Sequence, residues 1–275
     1  MEPEKEVEML FAGLDVSTQG CKFVVISREK EAVIYADSLH YDTDLTEYST
    51  VNGVIPGRGQ GVSESDPRMW IDAVDLLFLR MSGSELPVGK IEAVSVSGQQ
   101  HGLVCLDERG NLTRQTSKLW NDFSTAEECR LLTENVGGTE AMIRETGNTQ
   151  RPGYTAPKIY HLLRHEPHIY EQTATFFLVH NYINWYLTGG SRVMEPGDVS
   201  GTALWHPGRR EWSEKVVAAI DPGLKQKLPP VKPSDKPVGT ISKALADRFG
   251  FSQKCLIDAG CGDNMYSAVG TGNVT

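Results

Sequence analysis

The sequence predicts an α/β fold that opens with a three-strand antiparallel meander. Two observations predict it. Before residue 40, three apolar segments follow one another with only tight polar turns between them. After residue 66, apolar runs of strand length alternate with segments of helical periodicity.

The elements follow in order. Leu10–Leu14 reads as a buried strand ending at Asp15, and Ser17-Thr18-Gln19-Gly20 as a small polar turn. Phe23–Ile26 and Ala32–Ser38 are the second and third strands. Residues 42–66 are polar and hold Gly57-Arg58-Gly59-Gln60-Gly61, so they read as a long loop, and long loops in compact domains tend to be functional. Asp66-Pro67 is a helix start, and Trp70, Val74, Leu77, Phe78 and Met81 mark one apolar face. Ile91–Ser97 and Leu103–Leu106 are strands on either side of Gly98-Gln99-Gln100-His101-Gly102. Thr125 with Glu128 reads as a capping box, and Gly137-Gly138 ends that helix. Pro157 opens another helix, and a further one runs through Leu187 to Gly189. Ser213 caps Val216–Ile220. Prolines 222, 229, 230, 233 and 237 mark an irregular crossing before strand Val238–Ile241, helix Ser242–Phe249 and strand Leu256–Ala259.

A dinucleotide-binding chain would place a helix and a G-x-G-x-x-G turn after its first strand, and neither is present. No G-x-x-x-x-G-K-[ST] loop occurs either. A meander followed by strand–helix units is the plan of the ribonuclease-H-like (actin-like) folds, with a mixed sheet and helices on both faces.

Composition narrows the function. Lys and Arg number 27 against 36 Asp and Glu, a net charge of −9, which repels nucleic acid and anionic lipid. No run of about 18 apolar residues exists to span a membrane, and the start, Met-Glu-Pro-Glu-Lys-Glu, lacks the basic end and apolar stretch of a secretory signal. Five widely spaced cysteines fit neither a disulfide framework nor a zinc site, and suit the cytoplasm as buried thiols.

Four motifs carry candidate chemistry. In Gly13-Leu14-Asp15-Val16-Ser17-Thr18-Gln19-Gly20 a carboxylate at a strand end precedes a tight polar turn. It could hold Mg2+ through water and offer N–H groups to a phosphate, or be a plain hairpin turn. Ser95-Val96-Ser97-Gly98-Gln99-Gln100-His101-Gly102 gathers amides and an imidazole at a strand end, which suits a polyhydroxylated ligand, or a polar turn with one structural His. In Asp258-Ala259-Gly260-Cys261-Gly262-Asp263-Asn264, Asp263 could take a proton from a substrate hydroxyl, or Asp263 or Asn264 could cap the next helix. Trp120-Asn121-Asp122 offers a ring face and polar groups to a sugar, or a core Trp.

In this order, and together with Tyr154-Thr155-Ala156-Pro157-Lys158, Leu228-Pro229-Pro230-Val231, Val238-Gly239-Thr240 and Ala268-Val269-Gly270-Thr271-Gly272, the motifs resemble those of the FGGY carbohydrate kinases, xylulokinase branch. The resemblance runs from about residue 10 to the end. It implies ATP-dependent phosphorylation of a ketopentose, D-xylulose, with another polyol as the runner-up and a non-catalytic sugar-binding protein as the rival class. Asp263 then matches the catalytic base. His101, Gln100, Trp120, Asp122 and Asn264 match the sugar site. Asp15, Ser17, Thr18 and Gln19 match the phosphate loop, with Asp15 near Mg2+. Gln100 stands where many members have Met, and Cys261 where Gly is common. Arg151 lies where some relatives have a sugar-contacting Arg, in a loosely matching stretch. The resemblance implies residues 1–258 as an actin-like sugar-kinase domain and 259–275 as the start of a second, ATP-binding one. The chain is accordingly read as a fragment or a truncated product, inactive by itself. A homodimer is a further expectation.

Overall fold

The computed structural model describes residues 8–273; the acidic start, Met1–Glu6, and Thr275 lie outside them. The meander is formed by β1 (Leu10–Val16), β2 (Gly20–Ser27) and β3 (Ala32–His40). Each strand outruns its apolar pattern, because ladder pairing needs only backbone: Asp15 pairs with Lys22, and Lys22 with Ser38. Along β2, Cys21, Phe23 and Val25 are buried while Lys22, Val24 and Ile26 are exposed, the period of two that sets one face inward.

The stretch 42–66 is more ordered than a plain loop. It follows into α1 (Tyr41–Asp44) and a tight 3-10 turn (Thr46–Tyr48), then ends in β4 (Glu64–Ser65). Asp42 supplies the missing acceptor, taking hydrogen bonds from Thr50 Oγ1 at 2.7 Å and from the backbone N–H groups of Asn52 and Gly53. Helix α2 (Pro67–Ser82) starts as Asp66-Pro67 requires, with the Asp66 carboxylate accepting from the N–H of Arg68 at 2.9 Å. Strands β5 (Ile91–Gly98), β6 (Val104–Leu106) and β7 (Ser117–Lys118) follow, then α3 (Ala126–Val136). The capping box is absent: Thr125 makes no side-chain cap bond, and the Glu128 carboxylate turns away to Arg164 and His165. Tertiary partners for a buried carboxylate outweigh a local one.

Helix α4 (Thr139–Thr146) was not legible from the pattern. Helix α5 (Thr155–His165) begins two residues ahead of Pro157, whose missing N–H falls in the first turn, where no helical partner exists. Then come α6 (Pro167–Gln172), β8 (Thr175–Phe177), α7 (Val179–Thr188), α8 (Pro196–Val199), β9 (Trp205–His206), β10 (Glu211–Trp212) and α9 (Glu214–Ile220). The chain ends with β11 (Pro237–Thr240), α10 (Lys243–Phe249), β12 (Leu256–Asp258), β13 (Cys261–Gly262) and α11 (Asp263–Gly270). Ser213 caps α9 as expected, and Ser242, expected as the first residue of α10, is its cap, each accepting from a backbone N–H three residues on.

The main sheet runs β11-β12-β5-β1-β2-β3, with β13 also on β5. β5 is parallel to β1, β12 and β13, whereas β11–β12 and the meander are antiparallel, so the sheet is mixed. Helices α2, α7 and α10 cover one face, where Phe78 meets Phe23, Phe249 and Phe251 edge-on at 5.0–5.6 Å. Burying each such ring contributes about 1.5–3 kcal/mol. On the other face lies α11, whose Tyr266 hydroxyl meets Ser95 Oγ of β5 at 2.6 Å. A second core, built from α3, α4, α5 and α9 around Leu132, Ile159 and Phe176, stands beside the sheet. All five cysteines are free and buried. No helix among the described residues is long and apolar enough to cross a membrane.

Candidate active site

The carboxyl ends of β1, β5 and β13 meet, and a cavity of about 380 Å³ opens there. His101 forms part of its wall, in the loop after β5. Its backbone is left-handed, φ +62°, a conformation that costs a non-glycine residue about 1–2 kcal/mol. Its surroundings hold it there. A Cβ on Gly98 would come within 2.9 Å of the His180 backbone N, and one on Gly102 within 2.5 Å of Val179 Cγ2, so the loop lies hard against α7. Lys158, fully buried on α5, donates from Nζ to the His101 carbonyl at 2.6 Å. The Tyr154 ring tilts over the imidazole with centroids 4.8 Å apart.

Burial pushes the His101 imidazole down to about 4, with Asp198 pulling upward and Lys158 downward. The ring is therefore neutral near pH 7, with one donor and one acceptor nitrogen. That is the form that can read a hydroxyl group. Burial likewise drives the Lys158 ammonium well below its ordinary range.

Asp263 and Asn264, at the start of α11, form the facing wall. Gly260, at φ +74°, lets the chain pass so close to β5 that a Cβ would lie 2.4 Å from the Val96 carbonyl oxygen. Neither Asp263 nor Asn264 caps the helix: Gly262 holds the cap position, and Asp263 Oδ1 accepts from the adjacent Asn264 N–H at 2.7 Å. Asn264 Nδ2 donates to Gln100 Oε1 at 2.8 Å, joining the two walls. Burial raises the Asp263 carboxyl above its usual range, and the negative charges of Asp15 and Asp198 raise it further. It is a stronger base than a free carboxylate.

Trp120 is half exposed at 49%, which overturns the core reading, and its ring joins the cavity wall. Its Nε1 donates to Thr18 Oγ1 at 2.9 Å, and Thr18 Oγ1 donates to Gln99 Oε1 at 3.2 Å. This chain of bonds ties the turn after β1 to the cavity. Asp122 does not reach the wall. It is fully buried, accepts from the backbone N–H groups of Ser63 and Ser124 and pairs with Lys118 Nζ at 3.4 Å. Its expected contact with a sugar is replaced by a role in holding the loop behind Trp120. Arg151 does line the cavity, with Pro152 and Tyr154. The signal that could have placed this segment is Gly153: at φ +94°, its Cβ would sit 2.2 Å from the Trp120 carbonyl oxygen.

Asp15 opens onto an adjoining concavity with Ser97 and Lys22. Burial raises its carboxyl, while the Ser97 hydroxyl and the Lys22 charge oppose that. Ser17, Thr18 and Gln19 border a third concavity along the turn, which Ser17 closes by donating from Oγ to the Gly20 carbonyl at 3.0 Å. Asp15 and Asp263 line separate concavities, and each offers the kind of oxygen donor that a hard divalent cation such as Mg2+ takes.

An imidazole held neutral, amides and a carboxylate made more basic thus line one cavity at the strand ends of an actin-like sheet. The chain belongs to the FGGY family of carbohydrate kinases, matching that family's N-terminal domain over residues 10–270. It is 31% identical to xylulose kinase 2 of Arabidopsis thaliana over 96% of this chain and 50% of the relative. It is 30% identical to the xylulose kinase of Haemophilus influenzae over 96% of this chain and 52% of that one. Among solved structures it superposes with a TM-score of 0.83 on xylulose kinase from Rhodospirillum rubrum, at 23% identity over 97% of this chain and 51% of the other. The TM-score is again 0.83 for gluconate kinase from Lactobacillus acidophilus, at 22% identity over 96% and 50%. These two likenesses show the fold. The chain spans about half the length of the curated relatives it matches.

Proposed function

We propose that this chain is the sugar-binding half of an ATP-dependent ketopentose kinase that converts D-xylulose to D-xylulose 5-phosphate. The observation that carries the reading is the convergence of Asp263, Asn264, Gln100 and His101 on one cavity, with Asp263 made more basic by its surroundings. Neutral His101 and the Gln100–Asn264 amide pair hold the sugar hydroxyls, and the exposed face of Trp120 packs on the apolar face of the sugar. Asp263 takes the proton of the terminal hydroxyl as its oxygen bonds to the γ-phosphorus and the bond to the β-phosphate oxygen breaks, leaving ADP. Positioning and charge neutralisation supply most of the rate in such a transfer. Asp15 would hold Mg2+, which when bound neutralises charge on the transferring phosphate. The turn Ser17-Thr18-Gln19 faces the phosphates.

The test assays a protein carrying this chain at the full length of its relatives, by ADP release with Mg·ATP and D-xylulose, ribulose, glycerol or gluconate. The expected result is the highest kcat/KM for D-xylulose. A preference for another polyol overturns the substrate, and ketose binding without ADP release from any of them overturns the kinase.

A further inference from the structure

Away from the cavity, on the outer side of the helical core, α3 and α5 bring three metal-binding side chains together. Glu128 comes from α3, and His161 and His165 come from α5. The two histidines are one helical turn apart, the spacing that stacks side chains on one face. One ligand atom from each of the three lies within 4.8 Å of the others. His161 Nδ1 stands 3.4 Å from Glu128 Oε2, and His165 Nε2 stands 3.1 Å from Glu128 Oε1. The imidazoles thus address separate oxygens of one carboxylate, and the rings lie 4.4 Å apart between centroids.

We propose that Glu128, His161 and His165 form a binding site for a single divalent transition-metal ion, zinc or one of like preference, that ties α3 to α5. Two imidazoles and a carboxylate are a donor set that zinc takes, whereas Mg2+ and Ca2+ favour oxygen alone. Ligands about 2.0–2.1 Å from a tetrahedral ion stand about 3.3 Å from one another, close to the separations in place. The anchoring carboxylate is buried, so its direction is fixed, and His165 is half exposed, so it is free to close the last gap.

One group competes. Arg164 Nη1 donates to Glu128 Oε1 at 2.5 Å and serves as the present counter-charge. It has somewhere else to go. Glu127 Oε1 lies 3.5 Å from its Nη2, the Tyr160 ring 5.8 Å from its Cζ, and its side chain is 30% exposed. An ion entering the site replaces the guanidinium on Glu128, and Arg164 moves to Glu127. None of the three side chains lines the cavity, and the site does not depend on the reaction proposed there.

The experiment treats the 275-residue chain with EDTA, exchanges it into a non-chelating buffer and titrates Zn2+ by calorimetry, with thermal melts alongside. One equivalent should bind and raise Tm, and Mg2+ at the same concentration should do neither. Co2+ in place of Zn2+ should give the visible absorption of a low-coordinate site. His165→Gln and His161→Gln should each weaken binding by about tenfold or more, a loss in the range that even outer-sphere changes reach. Arg164→Gln should tighten it several-fold, and this variant moves in the direction that misfolding would not. Wild-type chain that takes up no equivalent, a double His161→Gln, His165→Gln variant that binds as the wild type does, or an Arg164→Gln variant with unchanged affinity would overturn the site.

Discussion

His101 and Asp263 reach the same cavity from opposite walls, and the two walls are held differently. The His101 wall is locked from behind. Lys158 bonds its carbonyl, Gly98 and Gly102 let it lie against α7, and Tyr154 covers the ring. The Asp263 wall is anchored at its root, where Gly260 and Cys261 lie against β5, but α11 itself has no buried residue. Met265 and Val269 are 47% and 51% exposed. The outer side of the Asp263 wall is apolar and exposed. The loop that holds His101 is thus fixed from several sides, whereas the helix that follows Asp263 is held mainly at its root.

The largest effect that would test this contrast is chemical. In a full-length protein, Asp263→Asn should lower kcat by about 10²-fold or more, the range of a lost general base. Folding should be unaffected, because Asp263 caps nothing: Gly262 holds that position. Matching melting curves with unequal turnover would support the assignment, and near wild-type kcat would remove Asp263 from the mechanism.

The second effect is on acid stability and belongs to the locked wall. The folded His101 titrates near 4 against an ordinary 6.5, so between those values the unfolded chain binds the extra proton. Stability therefore rises with pH across that window, and His101 subtracts up to about 3 kcal/mol as pH falls from 6.5 to 4. His101→Gln should flatten this part of the profile in urea unfolding at stepped pH. The same slope in the variant would mean that the ring is not the desolvated group described.

Backbone substitutions sharpen the comparison further. Gly260→Ala at the root of α11 meets both a positive φ and the Val96 carbonyl, and Gly102→Ala meets Val179. Each should cost about 1–3 kcal/mol. Gly270→Ala, at the far end of α11, meets nothing and has no positive φ. It should be neutral, or stabilise by up to about 1 kcal/mol through the unfolded state. Equal losses at all three would mean that α11 is held as firmly as the loop it faces.

The same contrast explains what the sequence revealed. The meander was legible because alternation along β2 reports a sheet with one buried face. His101, Gln100, Trp120, Asp263 and Asn264 were legible because each follows a strand or a glycine that fixes where the chain turns. Asp122 misled because its neighbours in sequence, Trp120 and Asn121, suggest a sugar site, while its real partners, Ser63 and Lys118, are set by folding. The capping box at Thr125 failed for the same reason, since Glu128 is claimed by α5. Lys158 gave no sign of its role, because an amine that bonds one backbone carbonyl in the interior has no local signature.

The smallest effect concerns Trp120, which stands between the two walls. Its ring offers a flat apolar face, and its Nε1 donates to Thr18 in the turn after β1. The two roles separate in two variants. Trp120→Phe keeps an aromatic face and loses the bond, whereas Trp120→Ala loses both. A single hydrogen bond is worth about 0.5–1.5 kcal/mol net, so the Phe variant should raise the ketose KM by no more than about tenfold. The Ala variant also loses the stacking surface and should raise it further, with the KM for ATP nearly constant in both. A Phe variant as impaired as the Ala variant would assign Trp120 to the Thr18–Gln99 bond chain instead, and an increase mainly in the KM for ATP would place that chain with the nucleotide phosphates.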